Sequence, residues 1–365
     1  MFLVVTRNFP PEFGGIQSLM GGLSNSLLNH GPVKIFTYAH SDSETYDKKS
    51  PLSIERVKGI KLFRKFRKAK LVRDFISANP NIRAIITDHW KSLEIIDENQ
   101  LRKTKSFCLL HSKEINHDIG SSLNKRIIMS TNKADYIIAN SNFTKELAIK
   151  VGINPKKIHI IFPGVEIPKT IENISKIKAE KIFGESFPKI ITVSRLEKRK
   201  GHDKILMTIK NLKSKFPKIK YLSIGSGKEE NNLFKLSKEL NLENEVIFLK
   251  DIDFDLKVAL IAESNLFLMP SRIEKKSVEG FGISFVEAAS YGVGSIGGKD
   301  GGTSDALKHN KTGLICDGSD LNSIYSSTLN FFKNKKYIEY GDNAKLFSQN
   351  FYWNKVVKDY LKLIN

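Results

Sequence analysis

The sequence predicts an α/β protein made of two Rossmann-like domains, each with a parallel sheet covered by helices. Three observations lead to this prediction. The 365 residues of the chain exceed what one ordinary hydrophobic core accommodates. Short apolar runs alternate with stretches of helical spacing, which is typical of parallel sheets with helices on both faces. The alternation occurs in two series, and a proline-containing stretch separates them.

The first series predicts an N-terminal domain over residues 1–165, and the second predicts a C-terminal domain over residues 189–346. Apolar runs bounded by turn residues are expected to be buried strands. Those of the first domain are FLVVT, VKIFTY, IRAIIT, SFCLL, DYIIANS and IHIIF. Those of the second domain are KIITVS, IKYLSIG, EVIFLK, NLFLMP and GSIGG.

Two further segments complete the domain organisation. Residues 166–188 contain Pro168 and Pro188 and interrupt the strand rhythm, so we interpret them as the interdomain linker. Residues 347–365 include the stretch FYWNKVVKDYLKLIN, whose apolar residues recur at helical spacing. This spacing predicts a C-terminal helix that packs against a core.

Composition favours a folded protein of a reducing compartment. Hydrophobic residues make up 40% and charged residues 27% of the chain, as in ordinary globular domains. We expect no membrane span, because there is no apolar run of about 18 residues, and no signal peptide, because the first residues lack a basic segment. Cys108 and Cys316 lie in apolar surroundings without metal-ligand spacing, which indicates buried thiols in a cytoplasmic protein.

The net charge of +20 leaves two interpretations open. It reflects either lysine enrichment throughout the chain, or attraction to an anionic partner such as a membrane surface, a nucleic acid or a phosphorylated substrate. Local clustering favours the second in KLFRKFRKAKLVRDFI, where seven of the thirteen positions from Lys61 to Arg73 are cationic.

The spacing of this basic stretch predicts an amphipathic helix. One face is expected to carry Leu62, Phe66, Ala69, Val72 and Ile76. Such a helix can rest on an anionic membrane or pack on the core with a solvated charged face, and both hold if its phenylalanines divide between core and lipid. The candidates for membrane contact are Arg64, Lys65, Phe66, Arg67 and Lys68.

Two motifs follow strands, where ligands of open α/β sheets bind. In FPPEFGGIQ, Gly14 and Gly15 lie at a strand-to-helix turn, so a phosphate or sugar could approach the backbone there. An NAD site is disfavoured because the GxGxxG spacing and its later acidic residue are absent. In SRLEKRKG, Arg195 and Lys200 flank a turn before a helix, and two such cations could hold a diphosphate. A tight turn and a solvated basic loop are the respective structural alternatives.

A third motif, EGFGISFVEAASYGVG, follows the strand NLFLMP. Glu279 precedes the predicted start of a helix near Gly282 and Ile283, and Glu287 lies more than one turn inside it. A carboxylate there can accept two hydrogen bonds from a vicinal diol such as a ribose. These acids therefore need not oppose the basic residues, and we expect them to bind the hydroxyl groups of a ligand. The alternative is an amphipathic helix with one exposed and one capping acid.

Together these segments resemble the retaining glycosyltransferases of family 4. EGFGISFVE resembles their E-x7-E motif, FPPEFGGI their first glycine loop, and SRLEKRKG their Arg-x4-Lys diphosphate clamp. ANSNFTKELAIKVGINPKKIHIIFPGVE resembles the end of their N-terminal domain. GGKDGGTSDALKHNKTGLICD resembles most closely the phosphatidylinositol mannosyltransferase-like branch. The resemblance covers nearly the whole chain and implies the GT-B fold, with both sheets facing a central cleft and the C-terminal helix returning toward the N-terminal domain.

The resemblance implies a role for each donor-side residue. Arg195 and Lys200 would hold the diphosphate of a UDP- or GDP-sugar, Glu287 the ribose, and Glu279 the sugar hydroxyls. The other donor-binding candidates are Gly14, Gly15, Gly225, Gly227, Phe281, Gly282 and Ile283, and residues 248–251 would lie near the base. Lys250 stands where the family often has glycine.

On the acceptor side, HSKE resembles the His-x-x-Glu of the family. His111 would lie near the anomeric carbon, and Ser112 stands where glycine is common. Glu114 and His89 are acceptor-side candidates, with His117 and Asp118 as nearby alternatives.

The implied reaction is metal-independent transfer with retention, in which the leaving phosphate takes the acceptor proton. The donor is a co-substrate, and no cofactor is expected. The acceptor would be a lipid-linked or envelope glycan, and the enzyme would attach peripherally to the inner face of the plasma membrane. Two other classes stay open: a nucleotide-sugar epimerase of the same fold, and a nucleic-acid-binding protein. The second would need aromatic residues interleaved with the basic patch, and no known nucleic-acid motif is found.

Overall fold

The computed structural model describes residues 1–12 and 14–365, and the chain divides into two compact units. The first unit comprises Met1–Glu166 and Phe351–Asn365, and the second comprises Ile167–Asn350. None of the helices in the described residues is long and apolar enough to cross a membrane.

The first unit contains a parallel sheet, with seven strands in its described residues, in the order β3-β2-β1-β4-β5-β6-β7. The strands are β1 (Phe2–Val5), β2 (Val33–Tyr38), β3 (Ser53–Val57), β4 (Ala84–Thr87), β5 (Lys105–Leu110), β6 (Tyr136–Ala139) and β7 (Ile158–Ile160). Alternate residues of β1 enter different cores: Leu3 and Val5 contribute to one, Phe2 and Val4 to the other. The sheet is thus buried on both faces, as the apolar runs predict.

Seven helices of the described residues connect these strands. They are α1 (Gly15–Leu28), α2 (Ser43–Lys49), α3 (Arg64–Ala78), α4 (Trp90–Leu93), α5 (Glu98–Leu101), α6 (Ser122–Asn132) and α7 (Asn142–Lys150). Serine hydroxyls at the starts of α6 and α7 accept backbone N–H bonds from inside the helix: Ser121 from Asn124, and Ser141 from Thr144. These caps satisfy amides that have no partner within the helix.

The second unit, described throughout, contains a six-stranded parallel sheet in the order β10-β9-β8-β11-β12-β13. The strands are β8 (Lys189–Val193), β9 (Lys220–Ile224), β10 (Val246–Leu249), β11 (Leu266–Met269), β12 (Ser295–Gly298) and β13 (Gly313–Cys316). The helices are α8 (Asn173–Phe183), α9 (His202–Leu212), α10 (Glu230–Glu239), α11 (Phe254–Ala262), α12 (Ile283–Ser290), α13 (Thr303–Ala306), α14 (Leu321–Phe332) and α15 (Lys336–Ser348).

The predicted linker at residues 166–188 is largely helical and belongs to the second unit. It contains α8, which packs against α11. Ser175, Ala179 and Phe183 are buried at spacings of four residues, which is the pattern of an amphipathic helix on a core. The linker interpretation of this stretch was therefore wrong, because its prolines lie outside the helix and do not interrupt it.

The last helix, α16 (Trp353–Ile364), belongs to the first unit and packs against α1. The boundary at 347 was placed early, since α15 and the second unit continue to Ser348 and Asn350. Trp353 is buried in a slot formed by two glycines: a Cβ on Gly22 of α1 or on Gly164 would overlap its indole ring.

The basic helix α3 follows its predicted spacing only in part. Val72 is buried and Ile76 packs against the core, as predicted. Lys68 is buried as well, and Leu62, Phe63 and Phe66 are more than half exposed. Lys68 was named as a membrane contact, and this is wrong, because its side chain points into the unit and donates to the carbonyl of Thr6 at 2.9 Å. The exposed surface around α3 is therefore more apolar than the sequence predicts.

Candidate active site

The site of the second unit lies where its strand order reverses, between β8 and β11. Loops that follow the carboxyl ends of neighbouring strands meet at such a point. The loop after β8 carries Arg195, Arg199 and Lys200, and the loop after β11 carries Glu279. Two of the sequence motifs, far apart along the chain, are therefore brought together.

Glu279 pairs with two cations of the first of these loops. Its Oε2 accepts a hydrogen bond from Arg199 Nη1 at 2.8 Å and another from Lys200 Nζ. All three side chains are buried. Glu279 thus opposes the basic residues, although its motif did not require it, because burial of two cations requires a counter-charge. Its contact with sugar hydroxyls stays a prediction.

The protonation of this cluster follows from burial and charge. Burial alone would raise the pKa of Glu279, but Lys200 and Arg199 outweigh it and hold the pKa at about 2. Burial lowers the pKa of Lys200, and the charge of Glu279 opposes that change. The carboxylate is thus ionised at neutral pH and holds Lys200 in place.

Arg195 lies at the solvent side of the same cluster. Its side chain is 61% exposed, and Nη1 pairs with Glu197 Oε1 at 2.8 Å. The other oxygen of Glu197 accepts from Arg199 Nε at 2.9 Å. The ion pairs therefore run without interruption from accessible Arg195 to buried Lys200, with three cations and two carboxylates.

Arg199 is the member of this cluster that the sequence did not predict. It lies within the run Lys198, Arg199, Lys200, and a run of adjacent cations does not show which of them points inward. Only Lys198 is exposed, because a short 3₁₀ turn over these three residues directs the other two side chains under the loop after β11.

Gly225 and Gly227 lie in the loop after β9, against the loop after β8. A Cβ on Gly225 would overlap the carbonyl of Ser194, and one on Gly227 would overlap the backbone of Leu196. A hydrogen bond of 2.9 Å from the Leu196 amide to the carbonyl of Ser226 holds the two loops together. These glycines thus shape the loop that carries Arg195, and their contact with a donor stays a prediction.

The glycine turn before α12 is formed as its sequence suggests. Gly282 adopts φ +90° and Ile283 begins the helix, while the side chain of Phe281 is buried. Gly302 lies in the loop after β12, and its amide donates to the carbonyl of Glu279 at 2.9 Å. This hydrogen bond holds the turn in place. Glu287 is half-buried and lies 4.0 Å from Lys257, separate from the Glu279 cluster.

The predicted base region after β10 is defined by two contacts. Phe248 packs on Phe234 with ring centroids 4.7 Å apart, and Lys250 Nζ pairs with Glu230 at 2.9 Å. Asp251 adopts φ +53°, a left-handed conformation that favours glycine.

In the first unit, His111 is held at the carboxyl end of β5. Its Nε2 lies 2.8 Å from the carbonyl of Asp88, which can only accept, so Nε2 is the donor. The backbone amide of His111 donates to Glu114 Oε1 at 2.5 Å. Ser112 adopts φ +85°, which explains why glycine is common at this position, and its hydroxyl bonds that of Thr144.

His89 has a capping role in the structure. Its Nδ1 accepts the backbone N–H of Lys91 at 2.9 Å and caps α4. Burial, followed by the charges of Arg7 and His111, lowers its pKa to about 2. The ring is therefore neutral, with its acceptor nitrogen already used.

Gly14 caps α1 and Gly15 is its first residue. Within the motif FPPEFGGIQ, Phe13 lies outside the described residues. The described part of the chain holds no group of three or more histidine, cysteine, aspartate or glutamate side chains that could bind a metal ion.

Comparison with known proteins agrees with this architecture. Residues 13–169 match the family model Glycosyltransferase Family 4, and residues 173–347 match Glycosyl transferases group 1. The structure superposes on that of Anabaena Alr3699/HepE in complex with UDP with a TM-score of 0.81, at 18% identity over 99% of both chains.

Two curated relatives share about a quarter of the sequence. The GDP-mannose-dependent alpha-(1-6)-phosphatidylinositol monomannoside mannosyltransferase of Mycolicibacterium smegmatis is 24% identical over 88% of this chain and 86% of its own length. The corresponding monoacylated-acceptor enzyme of Corynebacterium glutamicum is 25% identical over the same shares. The two family models together span nearly the whole chain and show a glycosyltransferase, and the superposition shows the GT-B fold. The chain belongs to glycosyltransferase family 4.

Proposed function

We propose that this enzyme transfers a hexosyl group from a nucleotide-diphosphate sugar to a lipid-linked acceptor, with retention and without a metal ion. The observation that carries the proposal is the buried Glu279–Lys200 pair, joined through Arg199 and Glu197 to exposed Arg195. Three cations against two carboxylates leave this edge positive, which favours a diphosphate.

The cluster accounts for the chemistry of the leaving group. As the bond from the anomeric carbon to the phosphate oxygen breaks, negative charge grows on the diphosphate, and preorganised cations stabilise it. The acceptor hydroxyl forms its new bond to the anomeric carbon on the same face, and its proton passes to a phosphate oxygen. Glu287, half-buried on α12, would accept hydrogen bonds from the ribose hydroxyls.

The base of the donor is tested by thermal unfolding with UDP, GDP and ADP. The M. smegmatis relative is GDP-mannose-dependent, whereas the Anabaena structure contains UDP. We expect one nucleotide to raise the unfolding temperature well above the other two, because a ligand that binds only the folded state stabilises it.

The ribose assignment is tested with Glu287→Gln, matched by Glu243→Gln at an exposed position. We expect Glu287→Gln to weaken nucleotide binding about tenfold, the effect of losing one charge-assisted hydrogen bond, and Glu243→Gln to leave it unchanged. Equal nucleotide affinity of both variants would show that Glu287 does not bind the ribose.

Product analysis with EDTA present tests metal independence. Incubation with the donor alone separates a transferase from an epimerase.

A lipid acceptor is supported by the outer surface around α3. Ile60, Leu62, Phe63 and Phe66 are 51–75% exposed, and Lys61, Arg67 and Lys70 lie among them. Apolar side chains flanked by cations favour the surface of an anionic membrane, which would place the enzyme peripherally on the inner face of the plasma membrane.

This attachment is tested by cosedimentation with vesicles of phosphatidylglycerol and of phosphatidylcholine. We expect binding to the anionic vesicles, a marked loss with Phe66→Ser, and no loss with Phe254→Ser, which replaces another exposed phenylalanine, in the second unit. Identical binding of both variants would exclude this surface.

A further inference from the structure

Four cations gather at the carboxyl end of β1 in the first unit, where the strand order reverses between β1 and β4. They are Arg7, Arg64, Lys68 and Lys91. Among the described residues, none of the four has a carboxylate within 4.0 Å of its charged nitrogens, unlike other cations of this unit such as Arg56, which pairs with Asp47 at 2.8 Å. Unpaired positive charge therefore accumulates at this edge.

Lys68 defines the inner wall of this cluster. Its side chain is buried. Its Nζ lies 2.9 Å from the carbonyl of Thr6 and 4.1 Å from the ring centroid of Tyr38. Burial lowers its pKa to about 8, with Asp88 opposing and Arg7 adding to the effect. The ammonium remains charged near neutral pH and keeps two N–H donors beyond the Thr6 bond, an arrangement that costs stability unless a ligand uses it.

Arg64 and Arg7 lie near Lys68. Arg64 lies 5.7 Å from the ring of Tyr38, which it shares with Lys68. The positive charge of Arg7 lies near enough to oppose protonation of Lys68 and Lys91 and to favour ionisation of Tyr38. The guanidinium of Arg7 has no hydrogen-bond or ion-pair partner within residues 1–12 and 14–365.

The acids near this edge do not neutralise it. Asp88 is one buried carboxylate against four cations, and its two oxygens accept from the Arg7 amide at 3.0 Å and the Ser92 hydroxyl at 2.7 Å. Glu94, which acts on Lys91, pairs with Lys65 and Arg126. The surroundings remain net positive and offer directed N–H donors, which is the chemistry of a phosphate site.

We propose that Arg7, Lys68 and Lys91, with Arg64, bind a phosphate group that belongs to the acceptor, and that this phosphate is that of a lipid headgroup. The proposal rests on the proposed function, which assigns the donor diphosphate to the second unit. A lipid source is favoured because Arg64 and Lys68 extend from the inner side of α3, next to the exposed Leu62, Phe63 and Phe66. A phosphate at a membrane surface lies at the same depth as such a helix.

Calorimetric titration of the full chain tests this site with three soluble probes. The probes are dihexanoyl phosphatidic acid below its micelle concentration, dihexanoylglycerol, which lacks the phosphate, and inorganic phosphate. The variants are Arg7→Gln and Lys91→Gln, since substitution of buried Lys68 could impair folding. Arg73→Gln, an exposed and unpaired arginine of α3 in the described residues, is the matched control.

We expect phosphatidic acid to bind and dihexanoylglycerol not to bind. Arg7→Gln and Lys91→Gln should each weaken phosphatidic acid binding about tenfold, the loss of one charge-assisted hydrogen bond, and Arg73→Gln should not. Inorganic phosphate that binds as tightly as phosphatidic acid would overturn the lipid source, and equal affinity in wild type and Arg7→Gln would overturn the site.

Nucleotide titrations separate this proposal from the proposed function. If Arg7→Gln weakens UDP or GDP binding as much as phosphatidic acid binding, the edge serves the donor and the acceptor proposal fails. If wild type binds no nucleotide at all, the donor assignment fails instead, and the lipid titrations are unaffected by that result.

Discussion

At the scale of a single residue, Glu279 stabilises the loop that its motif predicts to bind the donor. Its carboxylate is the counter-charge of buried Arg199 and Lys200. Removing one partner of a buried pair leaves the other charge uncompensated, which is more costly than the net value of the pair.

We therefore expect Glu279→Gln to lower the free energy of unfolding of the second unit by about 3 kcal/mol, measured by urea denaturation, and to abolish transfer. Glu185→Gln, which removes an exposed partner of Lys218, should leave stability unchanged. A fully stable Glu279→Gln protein would contradict the ionic role.

At acid pH, the free energy of unfolding should depend on protonation of the Glu279 carboxylate. Because the folded pKa of about 2 lies below the ordinary 4.5, its contribution is complete above pH 4.5 and is lost as the pH falls toward 2. The Glu279→Gln variant should lack this component.

His89 should also lower the free energy of unfolding on acidification, but from a higher pH than Glu279 does. Here the unfolded chain gains a positive charge that the folded protein does not take up. In the unfolded chain it binds a proton below pH 6.5, but in the folded protein it stays neutral to about pH 2. The unfolding free energy should therefore fall on acidification from pH 6.5, by about 1.4 kcal/mol per pH unit for one such histidine.

The variant that isolates this effect is His89→Asn, because asparagine also caps a helix but does not titrate. Thermal unfolding at pH 7 and pH 5 should show a smaller loss in His89→Asn than in wild type. Exposed His30→Asn should behave as wild type. Some loss should persist, because buried His202 has a pKa of about 3, lowered by burial and by Lys200.

At the scale of elements, Trp353, the first residue of α16, packs against α1 and fixes the end of the chain on the first unit. Alanine inside a helix is favoured over glycine by about 1 kcal/mol. At Gly22, however, a Cβ would overlap the indole, which Gly164 confines from another side, and overpacking costs about 1–3 kcal/mol.

We expect Gly22→Ala to destabilise the first unit despite its helix propensity, as measured by chemical denaturation. Asn25→Ala, on the exposed side of the same helix, serves as the control and should not destabilise. A more stable Gly22→Ala protein would show that Trp353 can leave its slot.

The elements also show where sequence patterns are limited. Apolar runs were predicted to be strands buried on both faces of a sheet, but β3 (SIERV) and β13 (GLIC) were missed. Both lie at the edge of a sheet, where polar residues are tolerated or the strand is short, so neither leaves a long apolar run. The face of α3 was misjudged because Phe66 resembles a core residue but is 69% exposed, while a lysine is buried.

At the scale of the whole molecule, each unit has its own hydrophobic core. We expect calorimetry to resolve two unfolding transitions. Gly22→Ala should lower one and Glu279→Gln the other, and the nucleotide that binds should raise the transition that Glu279→Gln lowers. A single transition lowered equally by both variants would contradict independent cores.

The sequence by itself determined the α/β class, the two parallel sheets and the family, because strand alternation and motif order are properties of the chain that folding preserves. Arg195, Lys200 and Glu279 could be chosen from it, since they follow predicted strands. Only the tertiary structure decided that Glu279 opposes the cations, that Arg199 joins them, and that Lys68 turns inward. These are pairings between loops distant in sequence, and burial, which no local pattern encodes, sets their charge balance.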